Sequence, residues 1–208
     1  MNQKQIINEI STYFDIYNKI DLTFVDTDIN KIQYYIYKFK DHEYNSFCTL
    51  QQHVQKVYED GIKNITMIVG YPFSSKIKID HNALIKSDTV EFWIESSRIY
   101  RNPKSIFKPL RRLVIKSHAN GVKFRAVTEL KSLPIENIKE FLTICKDANV
   151  DSIQTGYGLT TLNDSWIPEL KSKIGNDFEI KAVGGINSLE HAEKLIKAGA
   201  DLIGSSTI

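Results

Sequence analysis

The chain has 208 residues, 42% of them hydrophobic, and a formal net charge of +2 from 27 basic and 25 acidic side chains. Because the charges are spread along the chain without a basic block, neither nucleic acid nor an anionic membrane is the expected partner. The first residues, Met1 to Gln5, lack the apolar segment of a signal peptide, and no run reaches the roughly 18 apolar residues of a membrane span. We therefore expect one cytoplasmic domain, over residues 1–208, that acts on a small molecule.

The two cysteines, Cys48 and Cys145, each lie in an apolar segment. This position favours buried free thiols in a reducing compartment over a disulfide framework. Neither cysteine has the spacing of a metal ligand.

Short β-branched runs alternate with longer amphipathic runs along the chain, which indicates repeated βα units around a parallel sheet. A helix is predicted ahead of the first strand, at Gln5 to Phe14. The predicted strands are Lys19 to Phe24, Tyr44 to Thr49, Asn64 to Val69, Thr89 to Ile94, Val122 to Val127, Val150 to Thr155, Glu179 to Val183 and Asp201 to Ile203. The predicted helices between them are Asn30 to Phe39, Gln51 to Glu59, Ile106 to His118, Ile135 to Asp147, Asp164 to Ile174 and Leu189 to Ala198. Ser188 and Gly199 are typical of residues that begin and end the last of these helices.

Eight such units predict a compact TIM (β/α)₈ barrel with an extra N-terminal helix, and a doubly wound open sheet is the alternative. Glycine-rich turns after the seventh and eighth strands favour closure into the barrel. The sequence stops at Ile208, directly after the eighth strand, so no eighth helix is predicted. We expect the leading helix, a partner subunit or a further C-terminal segment to cover that strand, and a homodimer or other oligomer is expected.

In barrels of this kind the functional groups lie at the C-terminal ends of the strands. There Gly184 and Gly185 follow the seventh strand, and the eighth ends in Gly204-Ser205-Ser206. Glycine turns allow a close backbone approach and predict a phosphate site, although two ordinary tight turns would look the same.

Charged residues also interrupt the apolar strands. Lys181 stands in the seventh strand, and burial there would lower its pKa and make it an amine nucleophile or an acid-base group. Glu91 in the fourth strand is then explained by pairing with an inward lysine, since an unpaired buried charge is costly. For both residues, and for Asp21, Lys123 and Arg125, a solvated position remains the alternative.

Four ordered motifs carry a family resemblance: Ile20-Asp21-Leu22-Thr23, Val69-Gly70-Tyr71-Pro72, Lys181-Ala182-Val183-Gly184-Gly185-Ile186 and Gly204-Ser205-Ser206. With these motifs the chain resembles deoxyribose-phosphate aldolase from about Ile20 to the C-terminus. The resemblance implies a class I aldolase barrel that binds a phosphorylated sugar and uses no metal or other cofactor.

The resemblance also assigns expected roles. Lys181 matches a seventh-strand lysine that tunes the Schiff-base lysine, Glu91 matches a proton-relaying aspartate, and Lys123 matches a fifth-strand lysine. Asp21 and Thr23 match the first-strand motif. The remaining expected substrate-binding or phosphate-binding residues are Thr155, Gly184, Gly185, Gly204, Ser205 and Ser206.

The sixth strand departs from the family pattern. Gln154 occupies the place of the Schiff-base lysine, and an amide cannot form an imine. It can still hydrogen-bond a carbonyl, and Tyr157 in the following loop is expected to line or crowd the pocket.

Three functions therefore remain open. The first is a lyase in which Lys181 forms the imine and Glu91 moves protons. The second is acid-base chemistry on a phosphorylated sugar without a covalent adduct, with Gln154 orienting the carbonyl. The third is a catalytically inactive barrel that senses a phosphosugar or serves as a subunit of an assembly.

Overall fold

The structure, a computed structural model, describes residues 16–73, 77–163, 165–175 and 177–208. Eight parallel strands form a closed barrel in sequence order, and β1 pairs with β8 to close it. The strands are β1 (Ile20–Phe24), β2 (Ser46–Leu50), β3 (Ile65–Val69), β4 (Thr89–Trp93), β5 (Lys123–Val127), β6 (Ser152–Gln154), β7 (Glu179–Val183) and β8 (Leu202–Ser205). Every predicted strand is confirmed, and closure removes the open-sheet alternative.

Helices lie between the strands: α1 (Ile32–Asp41), α2 (Val54–Glu59), α3 (His81–Leu84), α4 (Ser96–Arg101), α5 (Phe107–His118), α6 (Ile135–Ala148), α7 (Trp166–Ile174) and α8 (Leu189–Lys197). Six of them match predicted helices, while α3 and α4 were not predicted. The hydroxyl of Ser188 caps α8 by accepting from the His191 N–H at 3.2 Å, and Gly199 follows it with φ of +109°. The predicted leading helix, Gln5 to Phe14, lies outside the described residues.

The strands alternate between two buried faces, as the period of two in a β-strand requires. Outward residues such as Leu22, Phe47 and Ile180 are fully buried against the helices in the main hydrophobic core. Inward residues form a smaller apolar cluster near the C-terminal ends of the strands, made of Cys48, Leu50, Ile68, Trp93 and Val127. Below that cluster the interior is polar, so the charged residues of the strands must be paired there.

The strand register brings the polar inward residues to neighbouring positions. Glu91 on β4 is opposite Arg125 on β5, and Arg125 is opposite Ser152 on β6. Farther along, Gln154 is opposite Lys181 on β7. The barrel therefore places residues from distant parts of the sequence around one interior site.

Candidate active site

A cavity of about 760 Å³ opens at the C-terminal ends of the strands. Its deep part is lined by Glu91, Gln154 and Lys181, and Trp93 and Tyr157 stand on one side. On the β7 and β8 side its rim contains Gly184, Gly185, Gly204, Ser205 and Ser206. These predicted residues thus lie together at the C-terminal end of the barrel, where functional groups are expected.

Four charged side chains form a closed network beneath the cavity. We call Asp21, Glu91, Arg125 and Lys181 the charge cluster, and each is at least 97% buried. Lys181 Nζ lies 2.6 Å from Glu91 Oε1 and 2.8 Å from Asp21 Oδ2. Arg125 Nη1 donates to the same two carboxylates at 2.8 and 3.1 Å. Two carboxylates and two cations cancel, so the charge cluster is neutral as a whole.

Neutral groups complete the hydrogen bonding of the charge cluster. Asn45 Nδ2 donates to Asp21 Oδ1 at 2.6 Å, and Arg125 Nε donates to Ser152 Oγ at 3.0 Å. The Cys48 thiol lies 3.4 Å from Glu91 Oε2, and burial raises the pKa of that thiol with a further contribution from the Glu91 charge. These contacts hold the charged groups in one arrangement, because each has little freedom to turn away.

The pKa values in the charge cluster follow from competition between burial and opposite charge. Burial alone would raise the pKa of Asp21, but Lys181 and Arg125 outweigh it and lower this pKa to about 2. Burial alone would lower the pKa of Lys181, but Asp21 and Glu91 outweigh it and raise this pKa. The expectation that burial gives Lys181 a lowered pKa is therefore wrong, since two carboxylates at hydrogen-bond distance stabilise its ammonium form. The expected pairing of Glu91 with an inward lysine is present.

The predicted role of Lys123 is corrected by its position. Lys123 is the first residue of β5, and its side chain is exposed at the N-terminal end of the barrel, opposite the cavity. Arg125, two residues later on the same face, is the fifth-strand cation that enters the interior. Alternation predicted the shared face but not the depth at which each residue lies.

Gln154 is the last residue of β6, and it is opposite Lys181 on β7. Its side chain is 3% exposed, and its Nε2 donates to the Gly156 carbonyl at 2.7 Å. Gln154 Oε1 is buried and has no hydrogen-bond partner within the described ranges. Gln154 thus lines the cavity, but its unpaired acceptor Oε1 is itself enclosed by protein.

The glycines of β7 and β8 are required by close packing. A Cβ on Gly184 would lie 2.2 Å from the Thr160 carbonyl oxygen, and one on Gly204 would lie 2.7 Å from Lys181 Cε. Gly204 therefore leaves the space that the Lys181 side chain occupies. The Ser205 hydroxyl donates to the Ile186 carbonyl at 2.8 Å, so it orders the turn at the rim.

The two threonines that were expected to bind substrate differ in position. Thr155, expected to bind substrate, instead accepts from the Val183 N–H at 3.0 Å and donates to the Val183 carbonyl, which ties β6 to β7. It is not among the residues that line the cavity. Thr23 does line the cavity, and its hydroxyl donates to the Asp21 carbonyl at 3.2 Å.

Glu129, two residues after the end of β5, was not predicted from the sequence as part of the site. Its carboxylate accepts from the Tyr157 N–H at 3.1 Å and from the Thr160 hydroxyl at 2.5 Å, so it anchors the loop after β6. A Cβ on Gly156 would lie 2.6 Å from Glu129 Oε1, which explains the glycine there. A carboxylate at the C-terminal end of a strand was the available signal.

Aromatic rings form one side of the cavity, as expected for Tyr157. The Tyr157 ring lies 5.1 Å from the Trp93 ring and 4.9 Å from the Phe73 ring, and Tyr71 lies 5.3 Å from Trp93. The Tyr157 hydroxyl donates to the Ile94 carbonyl, which fixes the ring against β4. This side of the cavity is therefore apolar and pre-ordered.

Cys48 and Cys145 are buried free thiols, as predicted. The described part of the chain holds no group of three or more His, Cys, Asp or Glu side chains placed to bind a metal ion. In the same part, every helix is too short or too polar to cross a lipid bilayer.

Comparisons of the sequence with known proteins identify aldolases to which the chain is similar. No protein-family model matches the chain. Deoxyribose-phosphate aldolase of Desulfitobacterium hafniense is 25% identical, with 90% of this chain and 93% of the relative covered. Deoxyribose-phosphate aldolase 1 of Oceanobacillus iheyensis is 24% identical, with 93% of each chain covered.

Solved structures give the same result for the fold. An aldolase named QR15 superposes with a TM-score of 0.81 at 21% identity, covering 93% of this chain and 92% of that one. The tetrameric deoxyribose phosphate aldolase of Aeropyrum pernix superposes with a TM-score of 0.81 at 15% identity, covering 98% and 92%. The chain is thus similar in sequence to deoxyribose-phosphate aldolases over most of its length, and it shares the closed barrel fold of the two solved aldolase structures.

Proposed function

We propose that the protein is an aldolase-like lyase that acts on a phosphorylated sugar such as deoxyribose 5-phosphate, with Lys181 as the amine and Glu91 as its proton partner. The observation that carries this proposal is the 2.6 Å contact between Lys181 Nζ and Glu91 Oε1 in the deep part of the cavity. An amine and a carboxylate at this distance can exchange the proton that imine chemistry must move. The aldolases to which the chain is similar support the substrate class.

The proposed reaction begins when Lys181 passes its proton to Glu91 and the neutral amine attacks the aldehyde carbon of the open-chain sugar. Glu91 returns this proton to the hydroxyl of the carbinolamine, which leaves as water and gives an iminium ion. The Glu91 carboxylate then takes the proton of the C3 hydroxyl, and the electron pair of the C2–C3 bond moves into the iminium, so that glyceraldehyde 3-phosphate leaves and an enamine remains. Glu91 gives the proton to C2 of the enamine, and hydrolysis of the imine releases acetaldehyde and regenerates the amine. Every proton and electron pair is accounted for without a metal or a redox partner.

The phosphate end of the sugar is assigned to the rim formed by the glycines and serines of β7 and β8. Backbone N–H groups in glycine turns are suited to phosphate oxygens because the missing side chain permits a close approach. Lys31, which lines the cavity and pairs with Asp26 at 2.7 Å, adds a cation near the opening. The aromatic side then contacts the carbon skeleton.

The charge state of Lys181 determines the expected rate. Asp21 and Glu91 favour the ammonium form, so the neutral amine is a minor species near pH 7. We expect a slow lyase whose rate rises with pH, by up to about tenfold per unit while the amine remains largely protonated. If the pKa of Lys181 were ordinary or lowered, the rate would instead reach a plateau at a lower pH.

A second candidate is binding of the phosphosugar without cleavage. The double ion pair of Lys181 favours it, because a permanently protonated lysine recognises a ligand but does not attack it. Gln154 at the end of β6 favours it too, since an amide cannot replace a nucleophilic amine. In this case the site is a phosphosugar sensor or part of an assembly.

Acetaldehyde release from deoxyribose 5-phosphate, measured between about pH 6 and 10, distinguishes the two candidates. The lyase proposal predicts release by the unmodified chain, an increase with pH, and loss of activity in Lys181→Met. The control Lys123→Met removes an exposed lysine at the opposite end of the barrel and should leave the rate unchanged. Binding by calorimetry with no release at any pH would overturn the lyase and establish the second candidate.

Assembly and location belong to the same proposal. The tetrameric Aeropyrum pernix enzyme supports the expectation of a homodimer or larger oligomer. The two buried free thiols support a cytoplasmic protein. Sedimentation velocity would test the assembly, and a single monomeric species at micromolar concentration would contradict it.

A further inference from the structure

The opening of the cavity carries an accessible ion pair. Lys31 and Asp26 both line the cavity, and Lys31 Nζ lies 2.7 Å from Asp26 Oδ2. The side chain of Lys31 is 61% exposed and that of Asp26 is 35% exposed. Their hydrogen bond lowers the pKa of Asp26 and raises the pKa of Lys31, so both groups are charged near neutral pH. A charged ligand in the cavity can therefore reach both members of the pair.

The two members of this ion pair differ in how firmly they are held. Asp26 Oδ1 accepts from the Asp28 N–H at 2.9 Å, and the Asp26 carbonyl accepts from His53 Nε2 at 2.8 Å. Lys31 reaches Asp26 only through its flexible four-carbon side chain. Asp26 is thus the fixed member of the pair, and Lys31 is the member that can turn towards a ligand.

A phosphate in the cavity needs a cation that can leave its present partner. Among the described residues that line the cavity, the cations are Lys31 and Lys181. Lys181 is held between Asp21 and Glu91 at 2.8 and 2.6 Å, and drawing it away would leave two buried carboxylates short of charge. Separating Lys31 from Asp26 costs far less, because exposed ion pairs contribute little. Lys31 is therefore the cation that a phosphate can recruit.

The topology places Lys31 on the side of the barrel where the phosphate rim lies. β1 pairs with β8, and Lys31 lies in the connection between β1 and α1. That connection leads into a helix that contacts the segment after β8, because Lys38 Nζ donates to the Thr207 carbonyl at 2.8 Å. Ser205, Ser206 and Thr207 line the same cavity as Lys31. Neighbouring loops thus contribute the rim and the mobile cation.

We propose that a ligand phosphate and the Asp26 carboxylate compete for Lys31, and that Lys31 thereby makes the cavity select a phosphorylated ligand. In the free protein Asp26 holds Lys31. When a phosphate binds at the β7 and β8 rim, Lys31 turns to it and the exposed Asp26 carboxylate is left to water. The inference deepens the proposed function and rests on it, because it takes a phosphosugar as the ligand. It applies to a lyase and to a sensor alike.

Calorimetry on the full chain tests the competition with two probes, 2-deoxyribitol 5-phosphate and 2-deoxyribitol. Neither has a carbonyl, so neither can be cleaved or form an imine. Asp26→Asn keeps an acceptor for the Asp28 N–H and removes the competing charge, so the phosphorylated probe should bind about two- to fivefold more tightly. Lys31→Met should bind it about tenfold more weakly. Binding of 2-deoxyribitol should be unchanged in both variants.

A double variant separates competition from simple repulsion between Asp26 and the phosphate. Repulsion alone predicts that Asp26→Asn tightens binding by the same factor with or without Lys31. Competition predicts a smaller factor in the Lys31→Met background, because no cation is then released. The matched control is Asp177→Asn, which removes the carboxylate of another exposed ion pair, with Lys146 at 2.8 Å, close to the start of β7 and away from the cavity. It should leave both affinities unchanged.

The outcomes separate this inference from the proposed function. Unchanged or weaker binding of the phosphorylated probe by Asp26→Asn, or unchanged binding by Lys31→Met, would overturn the inference and leave the phosphosugar site standing. Equal factors in the two backgrounds, or the same tightening in Asp177→Asn, would also overturn it, since charge alone would then explain the effect. If the unmodified chain binds neither 2-deoxyribitol 5-phosphate nor deoxyribose 5-phosphate, the proposed function fails as well.

Discussion

Removal of Lys181 is expected to destabilise the fold through charge imbalance. In Lys181→Met the charge cluster keeps two carboxylates and one cation, so its net charge changes from zero to −1. Both carboxylates are at least 99% buried, and water cannot compensate for the lost ammonium group. We expect the free energy of unfolding at pH 7 to fall by about 3–5 kcal/mol, the usual cost of breaking a buried ion pair.

The size of the effect also follows from the pKa of Asp21. Its reduction from an ordinary value of 3.8 to about 2 corresponds to about 2 kcal/mol of favourable interaction. That stability is present above pH 3.8 and is lost as pH falls towards 2. Lys181 makes the largest favourable contribution to this interaction with Asp21, and Lys181 also pairs with Glu91. The total loss of stability in Lys181→Met is therefore expected to exceed about 2 kcal/mol.

The loss of stability caused by Lys181→Met should become smaller at acidic pH. With one cation missing, we expect a carboxyl of the charge cluster to bind a proton more readily in the folded than in the unfolded state. A pKa that is raised on folding adds stability below the unfolded value and loses it as pH rises through the folded value. The difference between the unmodified chain and Lys181→Met should therefore narrow as pH falls from 7 to 4.

Urea unfolding followed by far-ultraviolet circular dichroism measures these differences. The matched control is Lys181→Met with Glu91→Gln, which returns the charge cluster to neutrality. The loss of unfolding free energy in this double variant should be smaller than the sum of the losses in the two single variants, because the two residues are in direct contact. A loss below about 1 kcal/mol in Lys181→Met, or simple additivity in the double variant, would show that the charge cluster does not need balanced charges.

Contacts at the site give three further predictions. Gly204→Ala places a Cβ 2.7 Å from Lys181 Cε, so the free energy of unfolding should fall by about 1–3 kcal/mol. Thermal unfolding measures this change, and an unchanged midpoint would contradict the close packing. Glu129→Gln weakens the anchor of the loop after β6, so the Tyr157 amide should exchange hydrogen faster, and unaltered protection would show that the carboxylate is dispensable. Cys48 should resist a thiol reagent until the protein unfolds, because burial raises the pKa of the thiol and thiol reagents react with the thiolate. Rapid labelling of the native protein would contradict the buried position of Cys48.

The strands could be predicted because each is a β-branched run bounded by turn residues, and eight such runs leave few topologies other than a barrel. The two missed helices, α3 and α4, have four and six residues. Helices that short contain too few periodic positions to give an amphipathic signal. The predicted boundaries of the longer helices agree because their apolar positions pack against the outer faces of the strands.

The sequence identified most residues of the site, but it did not predict their depth in the barrel or their charge states. Strand alternation put Lys123 and Arg125 on one face, yet only the barrel shows that Lys123 lies at the opposite end from the cavity. The raised pKa of Lys181 depends on carboxylates that are 160 and 90 positions away in sequence, brought to 2.8 and 2.6 Å by closure of the barrel. Motif matching located the residues, and three-dimensional contacts determined their charge states.

Borohydride trapping in the presence of deoxyribose 5-phosphate, followed by peptide mass spectrometry, shows directly whether Lys181 forms an imine. If the protein is a lyase that works through Lys181, the peptide containing Lys181 gains the mass of a reduced imine. The gain should increase from pH 7 to pH 9 and be absent from Lys181→Met. If the ligand binds by calorimetry but Lys181 stays unmodified at every pH, Lys181 is not the nucleophile and the protein is not a lyase of this kind.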